Sequence, residues 1–423
     1  MMTPKQHSNP PLAASLRGRG PSATLAINER SAALQAAGRT VYRLGLGQSP
    51  FPVPDEVVAS LQAHAAEKDY LPVRGLASLR AAVASFHQRV DQIPCSEDDI
   101  LIGPGSKELL FLAQLAFDGD ILLPTPCWVS YRPQAEILGR RISTIPAEYQ
   151  DRWRLDPERL DAACADGRPR LMILNYPGNP DGLTYGADEL QAIAAVARRH
   201  GLVVISDEIY GPVHHRGEHI SLARFYPEGT IVSGGLSKWC GAGGWRLGTF
   251  AVPPALHWLL DAMSTVASET FTSVSAPIQY AAITAYEGSP AIEDYLRRSR
   301  QVLSTLASRC TKTVQSAGIR VHAPTGGFYM LLDFQDHQDA LAARGIRTSP
   351  ELCEHLLEDT GVAVLPGTHF GVPAERLTAR IAYVDFDGDA ALAHAENPAA
   401  TLTATAKVVE GMEKLAAWIT APS

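Results

Sequence analysis

The chain has 423 residues, more than one hydrophobic core usually organises, so we expect two domains. A net charge of −8 disfavours a nucleic-acid-binding surface, and no apolar stretch reaches the ~18 residues that a membrane helix needs. The six cysteines form no CxxC pair, which indicates reduced thiols and no zinc or other metal site. We therefore predict a cytoplasmic protein that binds small molecules and neither nucleic acid nor a membrane.

The first part of the chain predicts a leader followed by helices and a short strand. Residues 1–20 are polar, contain proline, glycine and arginine, and lack the apolar run of a signal peptide, which favours a disordered leader. A helical pattern begins at Ser22 and ends at Gly38, and a short strand begins at Val41. Asp55 is predicted to cap a helix that extends to His64.

Beyond Pro94, short apolar runs alternate mostly with helical stretches. Several of these runs are continuous, which predicts strands buried on both faces of a largely parallel sheet. The predicted strands are residues 100–102, 121–123, 141–145, 171–174, 202–205, 231–232 and 249–252. A long helix from Ile292 to Ala317 then precedes strands at 328–334, 362–365 and 377–384, a loop at 385–400 and a final helix near 401–418.

This pattern predicts an α/β fold with two unequal parts. We expect a mostly parallel seven-stranded sheet between layers of helices over residues 61–290, and a smaller α+β domain over residues 291–423. The segment 21–60 is expected to pack with the smaller domain. Ligands of such sheets bind beyond the C-terminal ends of the strands, so the residues at those ends are the first candidates for function.

Three strand ends carry groups suited to an aromatic ligand, although each has a simpler structural explanation. Trp128 can lie flat on a ring, but a lone tryptophan is more often part of the core. Asn179 offers an amide in a proline-containing turn, where asparagine is also a common turn former. Asp207 ends a buried strand, where a carboxylate needs a partner such as a protonated pyridine nitrogen, and Tyr210 follows it; a structural N-cap is the alternative.

Two further strand ends are suited to a phosphate group. A helix opens at one of them, where free backbone N–H groups bind anions, and a glycine-rich turn with a lysine and an arginine follows the other. The residues concerned are Gly105, Ser106 and Lys107 at the first end and Ser237, Lys238 and Arg246 at the second. A lysine beside a bound phosphate ester is what a pyridoxal phosphate enzyme requires. A plain helix N-cap would explain the first end alone and a solvated loop the second, but coincidence is a poor explanation for five such ends in one sheet.

Together these landmarks resemble the fold type I pyridoxal phosphate enzymes, and among them the class I aminotransferases of the aspartate, aromatic and alanine kind. The resemblance extends from Ser22 to Tyr383, and its most specific parts are Pro-Gly-Asn-Pro at 177–180, Asp-Glu-Ile-Tyr at 207–210 and Ser-Lys with Gly-Trp-Arg at 237–246. It implies transfer of the amino group of an L-α-amino acid to a 2-oxo acid, through an aldimine of Lys238 with pyridoxal 5'-phosphate, in a homodimer whose sites lie at the subunit interface.

The resemblance also implies a role for each residue. Lys238 would carry the cofactor and move the proton, Asp207 would pair with the pyridinium nitrogen, and Asn179 and Tyr210 would bond the ring oxygen, with Trp128 stacked on the ring. The phosphate would be surrounded by Gly105, Ser106, Lys107, Ser237, Arg246 and the partner subunit's Tyr70. The substrate would be held by Arg380 at its α-carboxylate, with Gly47 and Asn179 nearby.

Three features leave the substrate and the exact reaction open. The family usually has Asn-Pro-Thr-Gly, but Asp181 replaces the threonine here. We expect Asp181 to be a surface turn residue, with contact to a cationic substrate or a different reaction step as the alternative. The loop 213–219, which contains His214 and His215, is either solvated or the source of a substrate-side general acid.

No arginine for a second substrate carboxylate is identifiable, so the sequence does not predict aspartate specificity. A pyridoxal phosphate-dependent lyase, cyclase or oxidase of specialised metabolism on the same scaffold is the alternative function. A regulator that binds the cofactor without catalysis is disfavoured by the acidic net charge.

Overall fold

The structure is a computed structural model that describes residues 13–18, 23–168 and 170–421. The helices of this part are α1 Ala23–Ala36, α2 Asp55–Ala63, α3 Ala77–Phe86, α4 Ser106–Ala116, α5 Tyr131–Ile137, α6 Pro157–Cys164, α7 Ala187–Arg199, α8 His257–Glu269, α9 Ala276–Glu287, α10 Pro290–Ser316, α11 Gln338–Ala343, α12 Ser349–Thr360, α13 Gly388–Ala393, α14 Pro398–Ala404 and α15 Ala406–Thr420. The strands are β1 Tyr42–Arg43, β2 Ile100–Gly103, β3 Asp120–Thr125, β4 Ile142–Pro146, β5 Arg170–Asn175, β6 Val203–Asp207, β7 Thr230–Gly235, β8 Gly248–Ala251, β9 Tyr329–Asp333, β10 Val362–Ala363, β11 Leu365–Pro366 and β12 Thr378–Ala382.

A seven-stranded sheet with the order β2-β8-β7-β6-β5-β3-β4 forms the centre of the molecule. Its β3/β4, β3/β5, β5/β6 and β6/β7 pairs are parallel, and only β8 is antiparallel to its two neighbours. All seven predicted strands are present, and the predicted fold class is confirmed. The parallel order brings the C-terminal ends of β3, β5, β6 and β7 to one edge of the sheet, where β2 also ends.

The central strands are buried on both faces, which explains their continuous apolar runs. Alternate side chains of a strand point to opposite faces. Leu171 and Ile173 of β5 therefore pack into one hydrophobic cluster with α4 and α8, whereas Met172 and Leu174 pack into a second cluster with α6 and α7. Leu171 and Met172 are both completely buried, so the sheet has no solvent-facing side at β5.

A smaller antiparallel sheet, β11-β12-β9, follows the long helix α10. The N-terminal segment reaches the same region, because β1 pairs with β10 in parallel, with Tyr42 opposite Val362. The exact domain boundaries stay a prediction. Most of the predicted leader, residues 1–12 and 19–20, lies outside the described residues, as does Ser22. Residues 13–18 contain one short turn of 3-10 helix, Ala14–Leu16.

Three local predictions differ from the structure, and all three concern helices. Pro54 occupies the N-cap position of α2, and Asp55 is its first residue, where a negative charge still interacts favourably with the helix dipole. Residues 385–400 are not a loop, because Asp387 caps α13 and Asn397 caps α14 through their side-chain oxygens. Aspartate and asparagine are common both in turns and at helix N-caps, so the sequence of this segment does not distinguish a loop from two short helices. The predicted final helix is divided at Thr405 into α14 and α15.

No helix within the described ranges is long and apolar enough to cross a membrane.

Candidate active site

A cavity of about 300 Å³ lies at the edge of the sheet where β2, β3, β5, β6 and β7 end. The residues that line it are Ser106, Lys107, Trp128, Tyr131, Asn175, Asn179, Asp207, Ile209, Tyr210, Ser237, Lys238 and Arg246. Nine of these twelve are residues that the sequence predicted, all except Tyr131, Asn175 and Ile209. The fold therefore gathers side chains from five separate strand ends around one space.

The amine of Lys238 is held inside this cavity. Its Nζ donates a hydrogen bond to the carbonyl oxygen of Gly47 at 2.8 Å, and it lies 5.6 Å from the ring centroid of Tyr210. Gly47 can come so close because it has no side chain: a Cβ there would lie 1.8 Å from Oη of Tyr329. Gly47 thus contributes its backbone carbonyl group to the site, and the side chain of any larger residue at this position would displace Tyr329.

Asp207 is a buried carboxylate at the C-terminal end of β6. Its Oδ2 accepts a hydrogen bond from Oη of Tyr131 at 2.6 Å, and its Oδ1 accepts one from Oγ of Ser233 at 3.3 Å. Burial raises the pKa of Asp207, and the two hydroxyl donors and the charge of Lys238 only partly oppose this effect. A cation placed against this carboxylate would remove the cost of its charge, so the cavity favours a ligand with a protonated nitrogen here.

Tyr131 lines the cavity, but the sequence predicts no role for it. Its partner Asp207 lies 76 residues away in the chain, and no local pattern marks such a contact. Tyr329 is a similar case: its Oη lies 2.9 Å from Oη of Tyr210 and 3.4 Å from the carbonyl oxygen of Gly47. Both tyrosines are buried and orient groups that face the cavity.

The opposite end of the cavity is positively charged and suited to an anion. Gly105 is the N-cap of α4 with a φ of 87°, and a Cβ there would lie 2.2 Å from Nη2 of Arg246. Arg246 donates to the carbonyl oxygens of Gly243 at 2.9 Å and Pro104 at 3.3 Å, which fixes its guanidinium over the start of the helix. Burial and the charges of Arg246 and Lys238 lower the pKa of Lys107. Three neighbouring cations at a helix N-terminus form a site for a phosphate.

Arg380 lies on β12, outside the residues that line the cavity, and is buried. It donates to Oδ1 of Asn179 at 3.3 Å and to the carbonyl oxygen of Gly45, and its guanidinium carbon lies 4.7 Å from the ring centroid of Tyr329. Its Nε is buried without a hydrogen-bond partner. Burial lowers the pKa of Arg380, so an anionic ligand would stabilise its charge. The predicted substrate arginine is therefore next to Asn179 and has a donor to spare.

Tyr70 is the one predicted site residue that its own chain leaves away from the site. It is 91% exposed and does not line the cavity. Its predicted contact with the phosphate requires a second subunit.

The histidine-rich loop is exposed at residues 216–218, as a solvated loop would be, but its histidines are largely buried. His214 is buried, and its Nδ1 accepts hydrogen bonds from the backbone N–H groups of Arg216 and Glu218. Nε2 of His215 lies 3.0 Å from the carbonyl oxygen of Gly327. Burial lowers the pKa of both histidines to about 4, so they are neutral at pH 7. They are packing residues that hold the loop against residues 326–327, and they do not line the cavity.

The third histidine of this loop, His219, forms a buried pair with Glu208, the neighbour of Asp207. Nε2 of His219 lies 2.8 Å from Oε2 of Glu208, while Oε1 of Glu208 accepts hydrogen bonds from Ser206, Ser221 and Tyr176. Burial alone would lower the pKa of His219, but the carboxylate of Glu208 outweighs burial and raises it. This pair anchors the end of β6 from the side opposite to the cavity.

We expect Glu208→Gln to lower the free energy of unfolding by about 3–5 kcal/mol at pH 6, because it leaves a buried imidazolium unpaired. Since the folded pKa of His219 lies above its unfolded value near 6.5, the stabilisation is complete below that value and is lost as the pH rises through the folded pKa. Chemical denaturation between pH 5 and 9 should show this slope in the parent chain and not in the variant. Glu218→Gln, which changes an exposed carboxylate in the same loop, is the control. Equal stability of Glu208→Gln and the parent at pH 6 would contradict the assignment.

Comparisons with known proteins agree with this geometry. Residues 39–388 match the family model described as aminotransferase class I and II. The chain is 34% identical over 363 residues to an aspartate aminotransferase of Geobacillus stearothermophilus, over 84% of this chain and 90% of that relative. It is 30% identical over 355 residues to an aspartate/prephenate aminotransferase of Thermus thermophilus, over 83% of this chain and 89% of the relative.

A solved structure is also similar over almost its whole length. The aspartate aminotransferase of Thermus thermophilus with maleate has a TM-score of 0.81 and 27% sequence identity, and the match covers 95% of this chain and 99% of that one. The fold, the family model and the relatives lead to one conclusion. The chain belongs to the class I and II aminotransferases and is a transferase of amino groups.

Proposed function

We propose that this aminotransferase uses pyridoxal 5'-phosphate, held by Lys238, to move the amino group of an L-α-amino acid to a 2-oxo acid. The observation that carries the proposal is the cavity in which the amine of Lys238 shares the space with a buried carboxylate, Asp207, and with a cationic end at Arg246. The cofactor has an aldehyde for the amine, a ring nitrogen for the carboxylate and a phosphate for the cationic end, so the residues fit it. When bound, it supplies an electron sink next to the α-carbon of the substrate.

The residues of the chain supply the proton transfers. Once its amine is free, Lys238 would take the α-proton of the substrate and return a proton, with the carbonyl oxygen of Gly47 to hold the amine in place. Asp207 would keep a proton on the ring nitrogen, because a positive partner relieves its buried charge. Asn179 and Tyr210 would bond the ring oxygen. For Asn179 we assign this to Nδ2, since its Oδ1 accepts from Arg380.

Arg380 would orient the substrate by its α-carboxylate. Its unpartnered Nε is a donor available for a carboxylate oxygen, and its other contacts fix the guanidinium plane. A substrate held at this carboxylate presents its α-carbon in one orientation to Lys238, which is the positioning that proton transfer requires.

The proposal includes a homodimer in the cytoplasm. Tyr70 is 91% exposed and does not line the cavity of its own chain, which supports the proposal that the partner subunit's Tyr70 would complete each phosphate end. All six cysteines carry free thiols, which suits a reducing compartment.

Aspartate is our first candidate for the amino donor. The relatives are named for aspartate, and the solved relative contains maleate, a four-carbon dicarboxylate. A wider cleft shares Trp128 with the cavity of Lys238, and two arginines, Arg30 and Arg132, lie in its wall. Both arginines are paired, Arg30 with Glu354 and Glu358 and Arg132 with Glu136 at 3.8 Å. Arg132 has the longer ion pair, so we propose it as the cation that would meet a second carboxylate.

The test is to follow the visible absorption of the purified protein with its cofactor during addition of single L-amino acids. We expect aspartate to shift the band to the shorter wavelength of the amine form of the cofactor, and a 2-oxo acid to restore it. Asparagine, matched in size but without the second charge, is the control for the side-chain carboxylate. Release of ammonia without this shift would contradict transamination and favour elimination or oxidation.

A further inference from the structure

The turn that carries Asn179 is closed by the carboxylate of Asp181. Oδ1 of Asp181 accepts a hydrogen bond from the backbone N–H of Leu183 at 2.7 Å, and Gly178 and Leu183 are joined across the turn by a backbone hydrogen bond of 2.9 Å. The carboxylate lies directly over Gly178, where a Cβ would be 2.4 Å from Oδ1. Asp181 is thus part of the turn, as the sequence predicted, and it is half-buried, with its carboxylate directed towards Gly178 and Leu183. It does not line the cavity of Lys238.

This turn is connected to the two ends of the active site. The backbone N–H of Asn179 donates to Oδ1 of Asn175 at 2.8 Å, and Nδ2 of Asn175 donates to the carbonyl oxygen of Asp207 at 2.7 Å. The side chain of Asn179 accepts from Arg380. A shift of the turn would therefore move the side-chain amide of Asn179 relative to both the carboxylate of Asp207 and the guanidinium of Arg380.

Behind the turn, Asp181 and Arg154 line a second cavity of about 20 Å³ together with Asn175 and Asn179. Arg154 is 9% exposed, and its Nε and Nη2 are buried without a hydrogen-bond partner. A space of this size is sufficient for one water molecule. A water there would have a carboxylate and two guanidinium N–H groups as its partners. The guanidinium of Arg154 also lies 4.5 Å from the ring centroid of Tyr185 and 3.9 Å from a carboxylate oxygen of Glu189, which holds it beside the turn.

The surroundings of Asp181 make its charge costly. The other titratable groups around it are Tyr185 and Glu189 of the α7 side, with Glu189 3.9 Å from Nε of Arg154, and Cys127 on the wall of the small cavity. Burial raises the pKa of Asp181 to about 6, and Arg154 and the N–H of Leu183 only partly oppose this. Since the pKa of Asp181 in the folded chain exceeds its usual 3.8, the free energy of unfolding decreases as the pH rises from 3.8 to about 6. At neutral pH the charge of Asp181 therefore destabilises the fold, and asparagine, which has the same shape and no charge, would not.

We propose that Asp181 is a positioning residue, whose carboxylate acts with Arg154 to hold the 178–182 turn so that Asn179 is aligned for the cofactor ring and for Arg380. This inference rests on the proposed function, because it concerns how the cofactor is held. It explains the departure from the usual Asn-Pro-Thr-Gly by a pair of charges behind the turn instead of by a different substrate or reaction.

The test compares Asp181→Asn with the parent chain in two states. In the cofactor-free chain, the variant should melt at a higher temperature than the parent at pH 8 and at the same temperature at pH 4. In the loaded enzyme, the visible band of the cofactor should shift, and kcat/KM for the amino donor should fall about tenfold at pH 8. The parent should lose activity as the pH falls through about 6, and the variant should lack this inflection.

Two further variants separate positioning by charge from a general loss of packing. Arg154→Gln should move the inflection of the pH profile to higher pH, because Asp181 then lacks its cation. Asp188→Asn changes an exposed carboxylate in the first turn of α7, so its band and pH profile should match the parent. Unchanged band, kcat/KM and pH profile in Asp181→Asn would overturn the proposal. A parent that binds the cofactor but transfers no amino group would overturn the proposed function, while the melting and band measurements would still decide the role of Asp181.

Discussion

Replacing Lys238 by alanine is expected to lower kcat by more than about 10⁴-fold, since this side chain provides both the attachment of the cofactor and the base. Its Nζ is the amine held inside the cavity, by the carbonyl oxygen of Gly47. Borohydride reduction followed by peptide mass spectrometry should place the cofactor on Lys238 in the parent chain and on no lysine in the variant. Single-turnover absorption with aspartate measures the lost rate.

Lys107→Ala is the matched control for this experiment. Lys107 lies in the same cavity, 5.0 Å from the ring centroid of Trp128, but at the cationic end. The variant should bind the cofactor more weakly and still carry it on Lys238 after reduction. A cofactor found on Lys107 in the parent chain, or a Lys238→Ala protein with near-normal kcat, would refute the assignment.

Asp207→Asn is expected to lower kcat by about 10³-fold, roughly 4 kcal/mol, because an amide cannot hold a proton on the ring nitrogen by charge. The same change should stabilise the cofactor-free chain at neutral pH. Burial raises the folded pKa of Asp207 above 3.8, so its ionised form costs stability as the pH rises through the folded value, and asparagine removes that cost. Denaturation at pH 5 and pH 8, together with turnover at pH 8, measures both effects.

Tyr131→Phe is the control that keeps the charge of Asp207 and removes one hydrogen bond of 2.6 Å. We expect a decrease in kcat of about tenfold, since the carboxylate is retained but less well held. If Asp207→Asn and Tyr131→Phe lowered kcat equally, Asp207 would act through its hydrogen-bonded position and not through its negative charge.

The sheet and the strand ends could be predicted from the sequence because both depend on local pattern. Buried parallel strands are continuous apolar runs, as in Leu171 to Leu174, and a parallel order then places every strand end at one edge. Lys238, Asp207 and Trp128 could be found in this way. Ligands bind at that edge, so a polar residue directly after an apolar run is a useful signal.

The contacts between distant parts of the chain could not be predicted in this way. Asp181 follows Asn179 and Pro180 in a sequence typical of an exposed turn, and nothing near it indicates that Arg154 lies behind it. The 213–219 loop is rich in histidine, which predicts either exposed side chains or a general acid. Their burial depends on residues 326–327, which lie more than a hundred positions away. Side-chain burial of this kind is a property of the assembled fold.

The pairing of β1 with β10 has a consequence for synthesis of the protein on the ribosome. Tyr42 and Arg43 leave the ribosome more than three hundred residues before their partners Val362 and Ala363. The segment that follows β1 supplies the carbonyl oxygens of Gly45 and Gly47, which accept hydrogen bonds from Arg380 and Lys238. A nascent chain therefore cannot complete its active site before the residues of β12, which include Arg380, have left the ribosome.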